Sequence, residues 1–369
     1  MLVKVGWKRR LREGGNQSHQ GSQESEKMTG VHGQGILAEP PGGSSNVFAG
    51  EGIPNFLADL RVGKTGRNRQ NGRMKRIQIL SAAMLAAIST SQSQETPKPK
   101  PAAKLDHVGK LAAALEPTRT IVYKKIGDRE LVLHIFEPDG FRLGDKRPCF
   151  HIIHGGGWQG MEPRRMFPFA NDMAKRFGMV GISVQYRLYN PKTDVTVFDC
   201  VMDARSSVRY VRSHAAELGI DPDRIVVTGG SAGGHLAVAT ALFDSVNEEG
   251  EDTSVSCMPN ALILLFPVID TSAEGYGQKK IGDRWRELSP VHHVRPGLPA
   301  TLIFHGTGDT TTPFAGAKSF HDQMIAAGNR CDLVVNEGGA HGYLMREEPL
   351  YEETIAKSGA FLKELGWLK

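Results

Sequence analysis

Three residues able to generate a serine nucleophile occur in order in the second half of this 369-residue chain. The first is Ser231, in Gly229-Gly230-Ser231-Ala232-Gly233. A β-branched run, Arg224 to Thr228, precedes this Gly-x-Ser-x-Gly stretch, and an Ala/Leu/Val-rich run follows it. That order predicts a strand turning sharply into a helix, with Ser231 at the bend. Gly229 and Gly233 then stand where strand and helix nearly touch and a side chain has no room. The bend exposes the hydroxyl and leaves the Ala232 amide at a helix N-terminus, where developing negative charge is stabilised.

A serine hydroxyl needs a base to take its proton, and the base needs an orienting acid. Asp309 follows the strand-like Thr301–His305 in a loop of small residues, Gly306 to Pro313. His341 follows the last strand-like run, in Gly338-Gly339-Ala340-His341-Gly342. Alone, Asp309 reads equally well as the cap of the helix after it, and His341 is one of 13 histidines. The order serine, acid, histidine on three such loops favours a catalytic set. A fourth stretch, His154-Gly155-Gly156-Gly157-Trp158, follows the apolar strand Cys149–Ile153. Its glycines free backbone amides to face inward, so Gly156, Gly157 and Ala232 are the candidate oxyanion-binding amides. As a phosphate loop the run lacks the Gly-Lys-Ser/Thr ending.

With Tyr186-Arg187-Leu188, Asp203-Ala204 and Asp221 to Ile225, these motifs resemble the α/β-hydrolase superfamily over about residues 118–369. Within it the chain is most similar to hormone-sensitive-lipase-like esterases and to secreted bacterial carbohydrate esterases. The resemblance implies a metal-independent carboxylic-ester hydrolase working through an acyl-enzyme. It departs from the lipase-like branch at Tyr189-Asn190-Pro191, where Ala-Pro-Glu is usual, which tilts the expectation away from lipases and toward short-chain or carbohydrate-linked esters of acetyl or feruloyl type. Rivals on the same scaffold are a prolyl-oligopeptidase-like peptidase, an amidase and a non-catalytic binding protein. A peptidase of that type carries a large propeller, for which nothing before Leu105 suffices, and a binding protein typically lacks one of the three residues.

The elements that must position these residues alternate. Thr120–Ile126 and Glu130–Phe136, around Gly127-Asp128-Arg129, predict an antiparallel hairpin. Further strands are expected at Cys149–Ile153, Val180–Tyr186, the run into Ser231, Ala261–Ile269, Thr301–His305 and Asp332–Val335. Helices are expected at 164–176, 196–218, after Ser231, at 314–327 and at 352–365. The pattern predicts one domain, residues 105–369, with a mainly parallel sheet covered by helices on both faces. The irregular Ser272–Leu298 is the expected small cap, offering Tyr276 and Trp285 to the substrate, with Trp158 as a further lining residue. Tyr186 and Arg187 are expected to brace the glycine run, Asp203 and Arg224 to form a buried pair, and His235 to pack. His292-His293 has no third ligand nearby, and no metal or cofactor is expected.

Composition narrows the partners. The net charge is +5, but residues 1–73 hold 11 Lys/Arg against 6 Asp/Glu, and residues 94–369 hold 32 against 34. The folded part is near neutral, so no nucleic-acid partner is expected. Residues 1–73, rich in Gly, Gln, Ser and Arg, read as a disordered, mis-assigned extension. Met74-Lys75-Arg76, the apolar Ile77–Ile88 and small residues to Ser93 read as a signal peptide, too short for a stable membrane span. Residues 94–104 are a Pro-rich linker. Export is therefore expected, and it permits one or two disulfides among Cys149, Cys200, Cys257 and Cys331; burial as small apolar residues is the other reading. The expected substrate is a small-molecule or polysaccharide ester, and the sequence carries no signal of oligomeric state.

Overall fold

The computed structural model describes residues 105–369; the extension, the signal-peptide reading and the linker all lie outside them. Eight strands form one sheet: β1 (Arg119–Ile126), β2 (Arg129–Phe136), β3 (Arg147–Ile153), β4 (Val180–Val184), β5 (Ile220–Gly230), β6 (Ala261–Leu265), β7 (Ala300–Gly306) and β8 (Cys331–Asn336). Their spatial order is β1-β2-β4-β3-β5-β6-β7-β8. The β1–β2 and β2–β4 pairs are antiparallel, and the remaining pairs are parallel. This is the α/β-hydrolase fold, with its hairpin at one edge.

The helices are α1 (His107–Ala113), α2 (Phe167–Phe177), α3 (Val197–Ser213), α4 (Ala232–Leu242), the short α5 (Gln278–Ile281), α6 (Phe314–Ala326) and α7 (Glu348–Glu364). Strand residues alternate between two cores, the period-two consequence of a pleated sheet buried on both faces. Cys149, Ile153, Ile225, Val227, Leu262 and Leu264 face one core, shared with α3, α4 and α6. Phe150, Ile152, Val226, Ile263 and Leu265 face the other, shared with α2 and α7. Helix α4 is buried along its whole length, so its apolar sequence has no polar face.

Several boundaries differ from the sequence reading, each for a local reason. Strand β6 ends at Leu265 instead of Ile269, because Phe266 takes φ 37° and Pro267 has no amide to continue the ladder. The first turn of the expected 164–176 helix is a 3₁₀ turn over Pro163–Met166. Helix α3 begins with a Thr196–Asp199 capping box and stops at Ser213, five residues before Leu218. Helix α7 starts four residues early, at Glu348, with Pro349 in its first turn, where a missing amide costs nothing. Helix α1 was not foreseen; Asp106 caps it by accepting the Gly109 amide at 2.8 Å.

All four cysteines are buried and free, so they act as small apolar residues and form no disulfide. Burial pushes all four thiols up. No helix of the described residues is long and apolar enough to cross a membrane.

Candidate active site

The turn between β5 and α4 holds Ser231 at φ 57° and ψ −120°, a conformation that side chains rarely adopt. The surroundings enforce it. A Cβ on Gly229 would stand 2.3 Å from the Gly233 carbonyl oxygen, and one on Gly233 would stand 2.2 Å from that of Ile153. The Ser231 amide also donates to the Leu265 carbonyl at 2.9 Å, tying the bend to the end of β6.

Ser231, Asp309 and His341 meet at the carboxyl ends of β5, β7 and β8. Ser231 Oγ lies 2.9 Å from His341 Nε2, and His341 Nδ1 lies 2.8 Å from Asp309 Oδ2. Asp309 Oδ1 accepts the amides of Thr311 and Thr312, each at 2.9 Å, and Oδ2 accepts the Thr312 hydroxyl at 3.0 Å. Burial alone would raise the Asp309 pKa. The His341 hydrogen bond and the donors of Thr312 outweigh it and hold the carboxyl below its usual range. The ionised carboxylate therefore fixes the imidazole with Nε2 facing the serine. The buried imidazoles near the turn are different: desolvation pushes His154 and His235 down to about 4. They stay neutral and make other contacts, His235 to the Leu288 carbonyl at 2.7 Å and His154 stacked on Tyr186.

The glycine run faces Ser231. Gly156 and Gly157 take φ 93° and 61°, and a Cβ on Gly156 would stand 2.2 Å from the Gly160 carbonyl oxygen. Among the described residues, the amides of Gly156, Gly157 and Ala232 donate to no loop or turn carbonyl. Ala232 opens α4, so its amide also has no intrahelical acceptor. The Tyr186 hydroxyl lies 3.1 Å from the carbonyl oxygens of both His154 and Gly155, which is the bracing expected of it. On the other side, Lys280 Nζ donates to the Gly157 carbonyl at 3.0 Å and lies 2.9 Å from the Tyr276 hydroxyl.

Behind Tyr186, Arg187 is buried against Asp203, with Nε 2.8 Å from Oδ2. Lys124 and Glu248 complete the cluster: Lys124 Nζ lies 2.7 Å from Asp203 and 2.6 Å from Glu248. Asp203 thus pairs with Arg187 and Lys124. The expected Asp203–Arg224 pair does not form, because Arg224 binds its near neighbour Asp221 at 2.8 Å.

A cleft of about 400 Å³ opens over Ser231 and His341. Met161, Met166, Phe266 and Met345 give it apolar walls, and Tyr276 enters from the cap as expected. Two expected lining residues are elsewhere. Trp158 is fully buried, because φ 63° turns its side chain inward against His235 and Tyr276. Trp285 packs edge-on to His292, away from the cleft. Sequence reasoning missed Asp106, Arg165 and Arg346, which also line the cleft. No motif marks them; only the folding of α1, of the 3₁₀ turn Pro163–Met166 and of the turn after His341 brings them in. A larger cavity of about 500 Å³, between the cap and α6, does not contain Ser231. Among the described residues no group of three or more His, Cys, Asp or Glu side chains is placed to hold a metal.

Known proteins resemble this chain in sequence and fold. The BD-FAE family model matches residues 133–324, more than half of the chain. Esterase 2 of Thermogutta terrifontis in its apo form is 41% identical, with a TM-score of 0.65, covering 68% of this chain and 96% of that one. The same esterase phosphonylated by sarin aligns at 40% identity and a TM-score of 0.64, with coverage of 68% and 95%. Among curated proteins, a probable isoprenylcysteine alpha-carbonyl methylesterase of Arabidopsis thaliana is 29% identical, covering 55% of this chain and 47% of its own length. A probable carboxylic ester hydrolase of Mycobacterium tuberculosis is 26% identical, with coverage of 52% and 48%. The chain spans about half the length of these two curated relatives. By the extent of the family match, and by an esterase aligned along almost its whole length, the chain belongs to the BD-FAE family, within the α/β-hydrolase superfamily.

Proposed function

We propose that the protein is a serine carboxylic-ester hydrolase acting on short-chain esters, including esters linked to carbohydrate. The observation that carries this is the hydrogen-bonded line Ser231–His341–Asp309, with its serine on a strained bend facing a glycine loop. Ser231 Oγ attacks the ester carbonyl as His341 Nε2 takes its proton. Asp309 holds the imidazole and stabilises its cationic form. The amides of Gly156, Gly157 and Ala232 receive the negative charge on the carbonyl oxygen. His341 then protonates the leaving alcohol. Water, deprotonated by the same imidazole, attacks the acyl-enzyme, releasing the acid and restoring Ser231.

The size of the cleft and its four apolar side chains favour a short acyl chain. The propionate-bound and butyrate-bound forms of the Thermogutta terrifontis esterase support the same range. Carbohydrate linkage rests on the open, partly polar mouth and on the sequence departure after Leu188.

Turnover of p-nitrophenyl acetate, butyrate and octanoate, acetylated xylan, methyl ferulate and peptide anilides tests the reading. Short esters are expected to lead, and Ser231→Ala to lose on the order of 10⁴-fold or more in kcat. Ester turnover that survives this substitution removes Ser231 as nucleophile. Activity on the anilides alone moves the assignment to a peptidase.

A further inference from the structure

The mouth of the cleft carries more positive charge than the hydrolytic chemistry needs. Asp106 is the one carboxylate among the lining residues, and Arg165 and Arg346 are both there. Asp106 is committed already: Oδ2 pairs with Arg165 and Oδ1 accepts the Gly109 amide at 2.8 Å. Arg346 follows the helical turn Tyr343–Met345, five residues past His341. Its Nη2 donates to the backbone carbonyl of His341 at 3.0 Å, holding the exposed guanidinium at the cleft edge by one bond. A guanidinium has five N–H donors. Only that one engages an acceptor among the described residues; no carboxylate among them lies within ion-pair distance of this side chain, although Asp106, paired with Arg165, feels its charge.

We propose that Arg346 is an anion subsite, selecting esters that carry a carboxylate near the scissile bond. The planar fork with free donors matches a carboxylate in two-pronged geometry. The hydrogen bond through one nitrogen leaves the other donors facing the cleft edge. Candidate substrates are half-esters of dicarboxylic acids, with the charge on the acyl side, or esters of acidic alcohols such as uronates, with the charge on the leaving side. The proposal rests on Ser231 being the ester-cleaving nucleophile.

Two matched pairs test it, each an acid against its uncharged amide. Monoethyl glutarate against its terminal amide places the charge on the acyl side. 4-Acetoxybenzoate against 4-acetoxybenzamide places it on the alcohol side. The readout is the ratio of kcat/KM for the charged to the uncharged member. In the full chain we expect a ratio of about tenfold or more for at least one pair, the pair identifying the side. Arg346→Gln should bring that ratio to near one, and Arg346→Lys, which keeps the charge without the fork, should leave it intermediate. Raising NaCl from about 20 mM to about 0.5 M should shrink the ratio in the unsubstituted enzyme, a measurement that needs no variant. Ratios of one or less for both pairs overturn the proposal. So does an Arg346→Gln enzyme that loses activity equally on charged and uncharged members, which makes Arg346 a support for the His341 loop. Failure of the serine reading shows separately, as turnover of the uncharged esters that persists in Ser231→Ala.

Discussion

Replacing Gly233 by alanine tests the contact on which the whole site is built. The new Cβ would stand 2.2 Å from the Ile153 carbonyl oxygen and 2.6 Å from that of His154. Both atoms are backbone at the end of β3, where the glycine loop begins, so no side chain can swing aside. Ordinary van der Waals contact for a Cβ begins at 3.4 Å, so about 1 Å or more must come from moving α4 off the sheet. Overpacking of this kind costs about 1–3 kcal/mol, with the upper end expected where backbone must yield. For a domain of this size each kcal/mol lowers Tm by about 2–4 °C, so a drop of about 6–12 °C is expected. The same displacement separates Ser231 from the amides of Gly156 and Gly157, and a misplacement of 1 Å costs on the order of 10²-fold in turnover. The assay pairs calorimetric melting with kcat and KM on p-nitrophenyl butyrate, active sites being counted by phosphonate titration. Gly160→Ala is the control, since its Cβ would meet nothing closer than 3.6 Å and it lies outside the positive-φ set. A Gly233→Ala enzyme with unchanged Tm and kcat would refute the close approach of helix and strand.

Three further outcomes follow from the site. Asp309→Asn should cut kcat by about 10³- to 10⁴-fold with little change in Tm, because the amide no longer holds Nε2 of His341 as acceptor; a loss under about tenfold, by steady-state kinetics, removes Asp309 from the mechanism. Lys280→Met should lower kcat by about tenfold and barely move KM, since Lys280 holds the Gly157 carbonyl from outside the cleft; a KM effect alone would make it a substrate contact. Burial would raise the Glu248 pKa, but the hydrogen bond from Lys124 and the charges of Lys124 and Arg187 outweigh it and hold it below its usual 4.5. A group depressed on folding stabilises the protein above its unfolded pKa, and that stability is lost as pH falls through the lowered value. Tm should therefore fall on acidification below about pH 4.5, and less steeply in Glu248→Gln; identical slopes would show that the cluster is not coupled to folding.

Where chemistry demands small residues or a fixed chain order, the sequence is legible. The strand–turn–helix around Ser231, the glycine run, and the loops of Asp309 and His341 are all where their spacing places them. Strand and helix types follow from sequence pattern because the sheet is buried on both faces and the longer helices cover them, α4 being the exception whose run is apolar all round. Side-chain direction is another matter. Trp158 reads as a pocket residue by its neighbours in sequence, yet a positive φ, invisible in composition, turns it into the core. Asp203 has several cationic candidates in sequence, and only the fold decides for Arg187 and Lys124 over Arg224. Asp106, Arg165 and Arg346 belong to three distant segments that meet only at the cleft, so nothing local distinguishes them from surface charges.

The conformation of Ser231 has a consequence for how stability is distributed in this molecule. A non-glycine residue at φ 57°, ψ −120° carries a penalty of about 1–3 kcal/mol, which the surrounding contacts must outweigh. Alanine at this position keeps the penalty while removing the hydroxyl. Glycine removes both, so an inert Ser231→Gly protein should melt above the active one where the strain exceeds the ~0.5–1 kcal/mol that glycine's freer unfolded chain costs. Thermal selection without an activity screen would then drift toward loss of the nucleophile, and variants engineered for heat resistance should gain their stability at positions remote from this turn.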